Sequence, residues 1–267
     1  MLGYLYRYAL YSNVLTNSYI HIPRIGASTE KKIWSSGIRS WDEFCENHHR
    51  TGMSRSKIDQ LLEGIEESRQ RLEVSDHIYF ANTLPSKEHW RGYRHFKKDT
   101  LFLDIETTGL SMDRDEITMI GVYGGGESRV YINGIDLDEF PQVLEGCKTI
   151  VTFNGARFDL PFISRYFPEI CFDQLHIDLM YPLRRIGLSG GLKHIETLLG
   201  LARSTETTGL TGFDAVRLWH RYRRGDQGAL DTLIKYNLED ISHLETIIDL
   251  TYEQMMQNAY EQDQVDE

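Results

Sequence analysis

Three strand-type runs crowd into a short stretch of the chain, at residues 101–106, 117–123 and 129–132. Only Gly124-Gly125-Gly126-Glu127 separates the last two, and that is a hairpin-type turn. It is not a phosphate loop, because no Gly-Lys-Ser/Thr follows. Strand and helix patterns then alternate. Asp136-Leu137-Asp138-Glu139 caps a helix to about Glu145, residues 148–153 form a buried strand, 158–167 a helix and 175–179 a further strand. The remainder reads as helix, over 192–199, 213–223 and from Ala229 onward. Sequence neighbours pairing first, with alternation after them, predict an α/β fold: a mixed five-stranded sheet with helices on its faces.

The chain before this is of another kind. The turn Ile22-Pro23-Arg24-Ile25-Gly26 precedes a helix that Ser28 or Thr29 can cap and that Gly37 ends. Ser40-Trp41-Asp42-Glu43 is a capping box for the next helix. Residues 54–74 form a longer amphipathic helix with Ile58, Leu61, Leu62 and Ile65 at helical spacing. Residues 1–75 are therefore expected to be a small helical module. Residues 2–11 read either as a strand or as an extension upstream of the true start. Residues 76–100 have no clear period and are expected to connect the two parts. Their aromatics Tyr79, Phe80, Trp90, Tyr93 and Phe96 either pack against the main domain or, with Arg91, Arg94, Lys97 and Lys98, contact nucleic acid. The main domain is expected over 101–252 and an acidic tail over 253–267.

With Lys plus Arg at 29 and Asp plus Glu at 40, the formal charge is −11. That average conceals a base-rich region at 176–224 ahead of the acidic tail, which carries Glu253, Glu261, Asp263, Asp266 and Glu267. Cys45, Cys147 and Cys171 offer neither a disulfide framework nor a Cys-x-x-Cys metal site, which fits a reducing, cytoplasmic setting. No apolar run reaches membrane-spanning length, and residues 1–15 lack a small-residue cleavage site, so neither membrane nor signal peptide is expected.

Chemistry enters with Asp104 and Glu106. Alternate side chains of a strand share a face, so both carboxylates point one way and Ile105 the other. Two acids so placed repel, and a hard divalent cation relieves that repulsion. Alone, the pair equally fits two solvent-facing acids on an edge strand. Further acids follow at helix positions. Asp159, in Asn154-Gly155-Ala156-Arg157-Phe158-Asp159-Leu160-Pro161, lies where a helix begins and alone would read as a cap. Tyr236 and Asp240, in Tyr236-Asn237-Leu238-Glu239-Asp240, are four apart on one helix face.

In order, the motifs Asp-x-Glu, Asn-x4-Asp and Tyr-x3-Asp resemble those of the DEDD 3′–5′ exonucleases of the ribonuclease H-like superfamily, in their tyrosine subclass. The histidine subclass carries His where this chain has Lys235. The second motif is similar to that of B-family polymerase proofreading domains. Gly190-Gly191-Leu192-Lys193-His194-Ile195-Glu196 and Trp219 resemble standalone ribonuclease H-like predicted exonucleases. The Ile-Pro-x-Ile-Gly turn resembles a helix-hairpin-helix hairpin, which holds a phosphate, with Arg24 where such hairpins carry their first Gly; it equally reads as a small packing module.

The resemblance implies a metal-dependent 3′–5′ exonuclease on DNA or RNA, with two divalent cations, Mg²⁺ or Mn²⁺. It implies Asp104 bridging both ions, Glu106 and Asp240 completing one, Asp159 supporting the other, and Tyr236 orienting or deprotonating the attacking water. Thr107, Leu110, Asn154, Phe158, Arg184, Arg185 and Lys193 are candidates for contact with a single-stranded or 3′-terminal nucleic acid. Asp178 is a candidate fifth acid or a structural one. The acidic tail or the helical module offers a surface for a protein partner. The competing reading is a non-catalytic nucleic-acid-binding or partner-recruiting module on the same fold.

Overall fold

The computed structural model describes residues 14–261, and the chain divides into two compact units. The readings for residues 2–11 and for Asp263, Asp266 and Glu267 fall outside the described residues. Among the described residues, no helix is long and apolar enough to cross a membrane.

The first unit takes in residues 14–97, Asp173–Leu175 and residues 256–261. Its helices are α1 (Ala27–Ser35), α2 (Trp41–Asn47), α3 (Arg55–Glu73), α4 (His77–Thr83) and the single turn α5 (Tyr93–Phe96). Leu61 and Ile65 on α3 pack with Ile22, Trp34, Trp41 and Phe44 into one core. Ser40 caps α2 as expected, its side chain accepting from Glu43 N. Helix α1 departs from expectation. It starts at Ala27 under Gly26, whose carbonyl accepts from Thr29 N and Glu30 N, so neither Ser28 nor Thr29 caps it. Arg24 takes the left-handed backbone (φ 62°) that glycine would hold in such a hairpin, and Lys57 Nζ donates to its carbonyl at 2.9 Å. Residues 76–97 are not a connection. Phe80 and Phe96 belong to this same core, an assignment that depends on contacts distant in sequence.

The second unit comprises Lys98–Phe172 and His176–Met255. Its sheet contains β1 (Thr100–Thr107), β2 (Ile117–Gly124), β3 (Glu127–Ile132), β4 (Thr149–Thr152) and β5 (Leu175–Asp178), in the order β3-β2-β1-β4-β5. β1 and β3 run antiparallel to β2, and β4 runs parallel to β1, giving the mixed five-stranded sheet. Gly125 and Gly126, both at positive φ, make the β2–β3 turn. Helices α6 (Asp159–Tyr166), α7 (Met180–Arg185), α8 (Leu192–Leu198), α9 (Gly212–Tyr222) and, as far as Met255, α10 (Gln227–Glu261) follow. Residues 253–261 thus continue a helix. The segment at Leu137–Leu144 is a 3-10 rather than an α-helix and contains Pro141, which lacks the N–H an α-helical turn uses.

Apolar clusters lie on both faces of the sheet. Leu103, Ile105, Ile120 and Val122 pack with Phe162 and Ile163 of α6. Met119 and Ile132 pack instead with Leu218 and Trp219 of α9 and Leu230 and Leu233 of α10. Alternation along β1 therefore sends Leu103 and Ile105 to one face and leaves Asp104 and Glu106 to the other.

Candidate active site

The close approach of α10 to the sheet builds the site. Gly121 of β2 lies opposite Asp104 in register, and a Cβ at Gly121 would overlap Oδ1 of Asn237. With no side chain there, Asn237 settles against the strand and its Nδ2 donates to Oδ2 of Asp104 at 2.9 Å. One turn of α10 is thereby fixed against β1, carrying Tyr236 and Asp240 with it. The β1–β2 register shifts between Glu106 and Thr107, an irregularity of the kind that redirects side chains at a strand end.

Asp104, Glu106 and Asp240 each bring a carboxylate oxygen within 4.8 Å of the others. Asp159 stands beside this group. It is the first residue of α6 and not its cap; its Oδ1 accepts from Ile105 N of β1 at 3.1 Å. All four line one cleft of about 540 Å³. Burial first, then mutual repulsion with Asp240, pushes Asp104 and Glu106 well above the usual carboxylate range. Burial raises Asp159 to about 7 and Asp240 to about 6, the latter against the opposing pull of Arg203. The donors are hard oxygens, close together and short of positive charge, which is what Mg²⁺ or Mn²⁺ requires. The residues therefore fit a divalent-metal centre.

Tyr236 is buried against these acids, and burial and their charge raise its phenol pKa. The ammonium of Lys193 sits 4.4 Å from the centre of the Tyr236 ring; it is buried and makes no hydrogen bond among the described residues. Thr107, Leu110, Asn154 and Phe158 line the cleft. Arg184 and Arg185 do not; they sit on α7, Arg184 exposed and Arg185 half-buried. Asp178 is buried, and its carboxylate accepts from the backbone N–H groups of Asn154 (2.7 Å), Ala156 (3.2 Å) and Met180 (3.2 Å). It fixes the loop that holds Asn154 at φ 66°, a structural role.

Four participants escaped the sequence reading. Asn237 was findable, because it is three residues from Asp240 and so shares its helix face. Phe213, 65% exposed at the cleft wall, sits at the start of a helix that periodicity located but could not orient toward the acids. Arg203 and Glu196 pair with one another at the site, and Arg203 also pairs with Asp240. Arg203 lies between helices, in a stretch without a period.

Residues 101–252 match the profile of a family described as the RNase_H superfamily. Among solved structures, the chain is similar to the family B DNA polymerase from the hyperthermophilic archaeon Pyrobaculum calidifontis, with 18% identity and a TM-score of 0.49. That likeness covers 60% of this chain and only 25% of the polymerase. It is also similar to Brucella melitensis NrnC, with 15% identity and a TM-score of 0.43, covering 64% of this chain and 80% of NrnC. No curated protein sequence matches significantly.

Proposed function

Since the chain belongs to the RNase_H superfamily, we propose that it is a metal-dependent 3′–5′ exonuclease, hydrolysing phosphodiester bonds of DNA or RNA by a two-metal-ion mechanism. The observation that carries this reading is the convergence of Asp104, Glu106 and Asp240 oxygens within 4.8 Å on one wall of a cleft. The 3′ polarity rests on the Asp-x-Glu, Asn-x4-Asp and Tyr-x3-Asp order, which resembles that of the DEDD tyrosine subclass.

Asp104, Glu106 and Asp240 would hold the ions, with Asp159 supporting them from the start of α6. Divalent cations supply positive charge to the scissile phosphate and acidify a bound water. The phenol of Tyr236 would orient the attacking water by hydrogen bonding. Lys193, whose ammonium makes no hydrogen bond among the described residues, meets the phosphate charge. Thr107 donates to the carbonyl of Gly109 at 2.6 Å, shaping the loop that presents Leu110, 85% exposed, toward a terminal base. Such a cleft grips backbone and one end, so little sequence preference is expected.

The test is degradation of 5′-labelled DNA and RNA oligonucleotides with Mg²⁺ or Mn²⁺. Stepwise shortening from the 3′ end, abolished by EDTA and by Asp104→Asn, is expected. Binding without cleavage under every metal condition would favour the non-catalytic alternative.

A further inference from the structure

Behind Asp240 lies a buried chain of charges that the cleft itself does not require. The Arg203 side chain is 7% exposed and Glu196 2%. Arg203 grips Glu196 with a fork: Nε donates to Oε2 at 2.6 Å and Nη2 to Oε1 at 2.5 Å. The same Nη2 donates to Oδ1 of Asp240. Glu196 also accepts from Nδ1 of His243, three residues beyond Asp240 on α10, at 2.9 Å. Glu196 of α8, the segment before α9 and two positions of α10 are thus tied together.

A charge count separates two roles for this chain. Arg203 and Glu196 cancel, so the pair adds little net positive charge to the carboxylate cluster. What the pair adds is direction. The planar fork leaves the guanidinium one orientation, and that orientation holds the Asp240 carboxylate through its Oδ1. Buried ion pairs contribute little to stability, because desolvation offsets their attraction. Their distinctive effect is geometric. Building on the metal-dependent reading above, we propose that Arg203, anchored by Glu196, is a positioning residue that presets Asp240 for divalent-metal binding.

A counter-ion role predicts the opposite sign. If Arg203 acted only as a positive charge standing in for a cation, removing it would strengthen metal binding. The experiment is Mn²⁺ binding by calorimetry to the full chain, comparing wild type with R203Q, R203K, R203Q/E196Q and, as a control, D104N. The double variant guards against misfolding, since it leaves no lone charge at Glu196; circular dichroism verifies the fold. Loss of a residue that orients a ligand typically costs about 10–100-fold in metal affinity, and that loss is expected for R203Q and for R203Q/E196Q. R203K, which lacks the fork, recovers only part of it. Hydrolysis by R203Q should return toward the wild-type rate as Mn²⁺ is raised, while KM for the oligonucleotide at saturating Mn²⁺ stays put. A folded R203Q/E196Q that binds Mn²⁺ as tightly as wild type, or more tightly, overturns the brace and leaves the exonuclease reading standing. Wild type binding Mn²⁺ no better than D104N overturns that reading and the brace with it.

Discussion

Both units bury charge, and they treat it in opposite ways. In the helical unit Arg91 lies between two acids. Its Nη1 meets Glu30 at 2.9 Å and its Nε meets Glu88 at 2.8 Å, all three side chains being nearly inaccessible. Oε1 of Glu30 also accepts from the backbone N–H of Tyr19 at 2.6 Å, and Arg91 donates to Ser18. Every carboxylate there has a base or a backbone donor. In the α/β unit Asp104, Glu106, Asp159 and Asp240 converge while Arg203 is already engaged by Glu196, and their pKa values rise accordingly. Buried charge that is locally compensated is architecture. Buried charge left short of its counter-charge marks a place where something else binds.

The sharpest way to break this contrast is to remove one member of each cluster. Asp104→Ala is expected to reduce hydrolysis to background while the metal-free protein melts at the same temperature or higher, because mutual repulsion is relieved. Oligonucleotide degradation and a melt in EDTA check both halves. A large destabilisation would mean the cluster is architecture after all. Within the same cluster, Tyr236→Phe keeps metal and substrate affinity but slows single-turnover hydrolysis by about 10²-fold, the size expected when a group that orients a reactant is lost. An unchanged rate would remove the phenol from the chemistry.

The counterpart in the helical unit is Arg91→Ala, which strands Glu30 and Glu88. Breaking one partner of a buried pair costs about 3–5 kcal/mol, so chemical denaturation should show a stability loss of that size. A loss under about 1 kcal/mol would place the triad with weak surface pairs.

Acidity separates the two units more finely, with opposite signs. Asp159 and Asp240 titrate at about 7 and about 6 when folded, from an ordinary 3.8. The stability they contribute is fully present below pH 4 and is lost progressively as pH rises from about 4 through 6 to 7, so the metal-free α/β unit weakens across that whole range. His21 behaves in reverse. Burial among Trp41, Tyr79 and Phe80 lowers it from 6.5 to about 3. Ser68 donates to the carbonyl of Gly64 at 2.6 Å and so accepts from Nε2 of His21 at 2.8 Å, which fixes the neutral tautomer. Stability from neutral His21 is present above pH 6.5 and falls toward pH 3, by at most about 1.4 kcal/mol per pH unit. Melts of metal-free protein across pH 4–8, with His21→Asn as reference, should resolve the two slopes. Parallel slopes would contradict the contrast.

What the sequence disclosed of all this follows the range of the contacts. Asp104 and Glu106 were legible as a pair because strand alternation is local, and Tyr236 and Asp240 because a helical turn is. The pairing of β2 with β3 was legible from the hairpin turn at Gly124–Glu127, whereas the order of the whole sheet was not drawn from the sequence. The convergence of Asp159 with β1 was implied only by motif order, since its bond to Ile105 N spans 54 positions. Arg203 stayed hidden for a similar reason: its bond to Asp240 spans 37 positions and starts from a segment without a period. Arg184 and Arg185 looked like substrate contacts from their charge alone, and α7 carries them outside the cleft lining. Residues 76–97 showed their aromatic content but not their allegiance, which only the packing of Phe80 and Phe96 supplies.

The proposed function requires the charge-deficient cluster to hold metal. Anomalous diffraction from crystals grown in saturating Mn²⁺ tests it most directly. Anomalous density is expected between Asp104, Glu106 and Asp240, at the roughly 2 Å reach of carboxylate oxygens bound to a small hard dication, and should disappear in Asp104→Asn. Mn²⁺ peaks elsewhere on the molecule, with none among these three carboxylates, would contradict it.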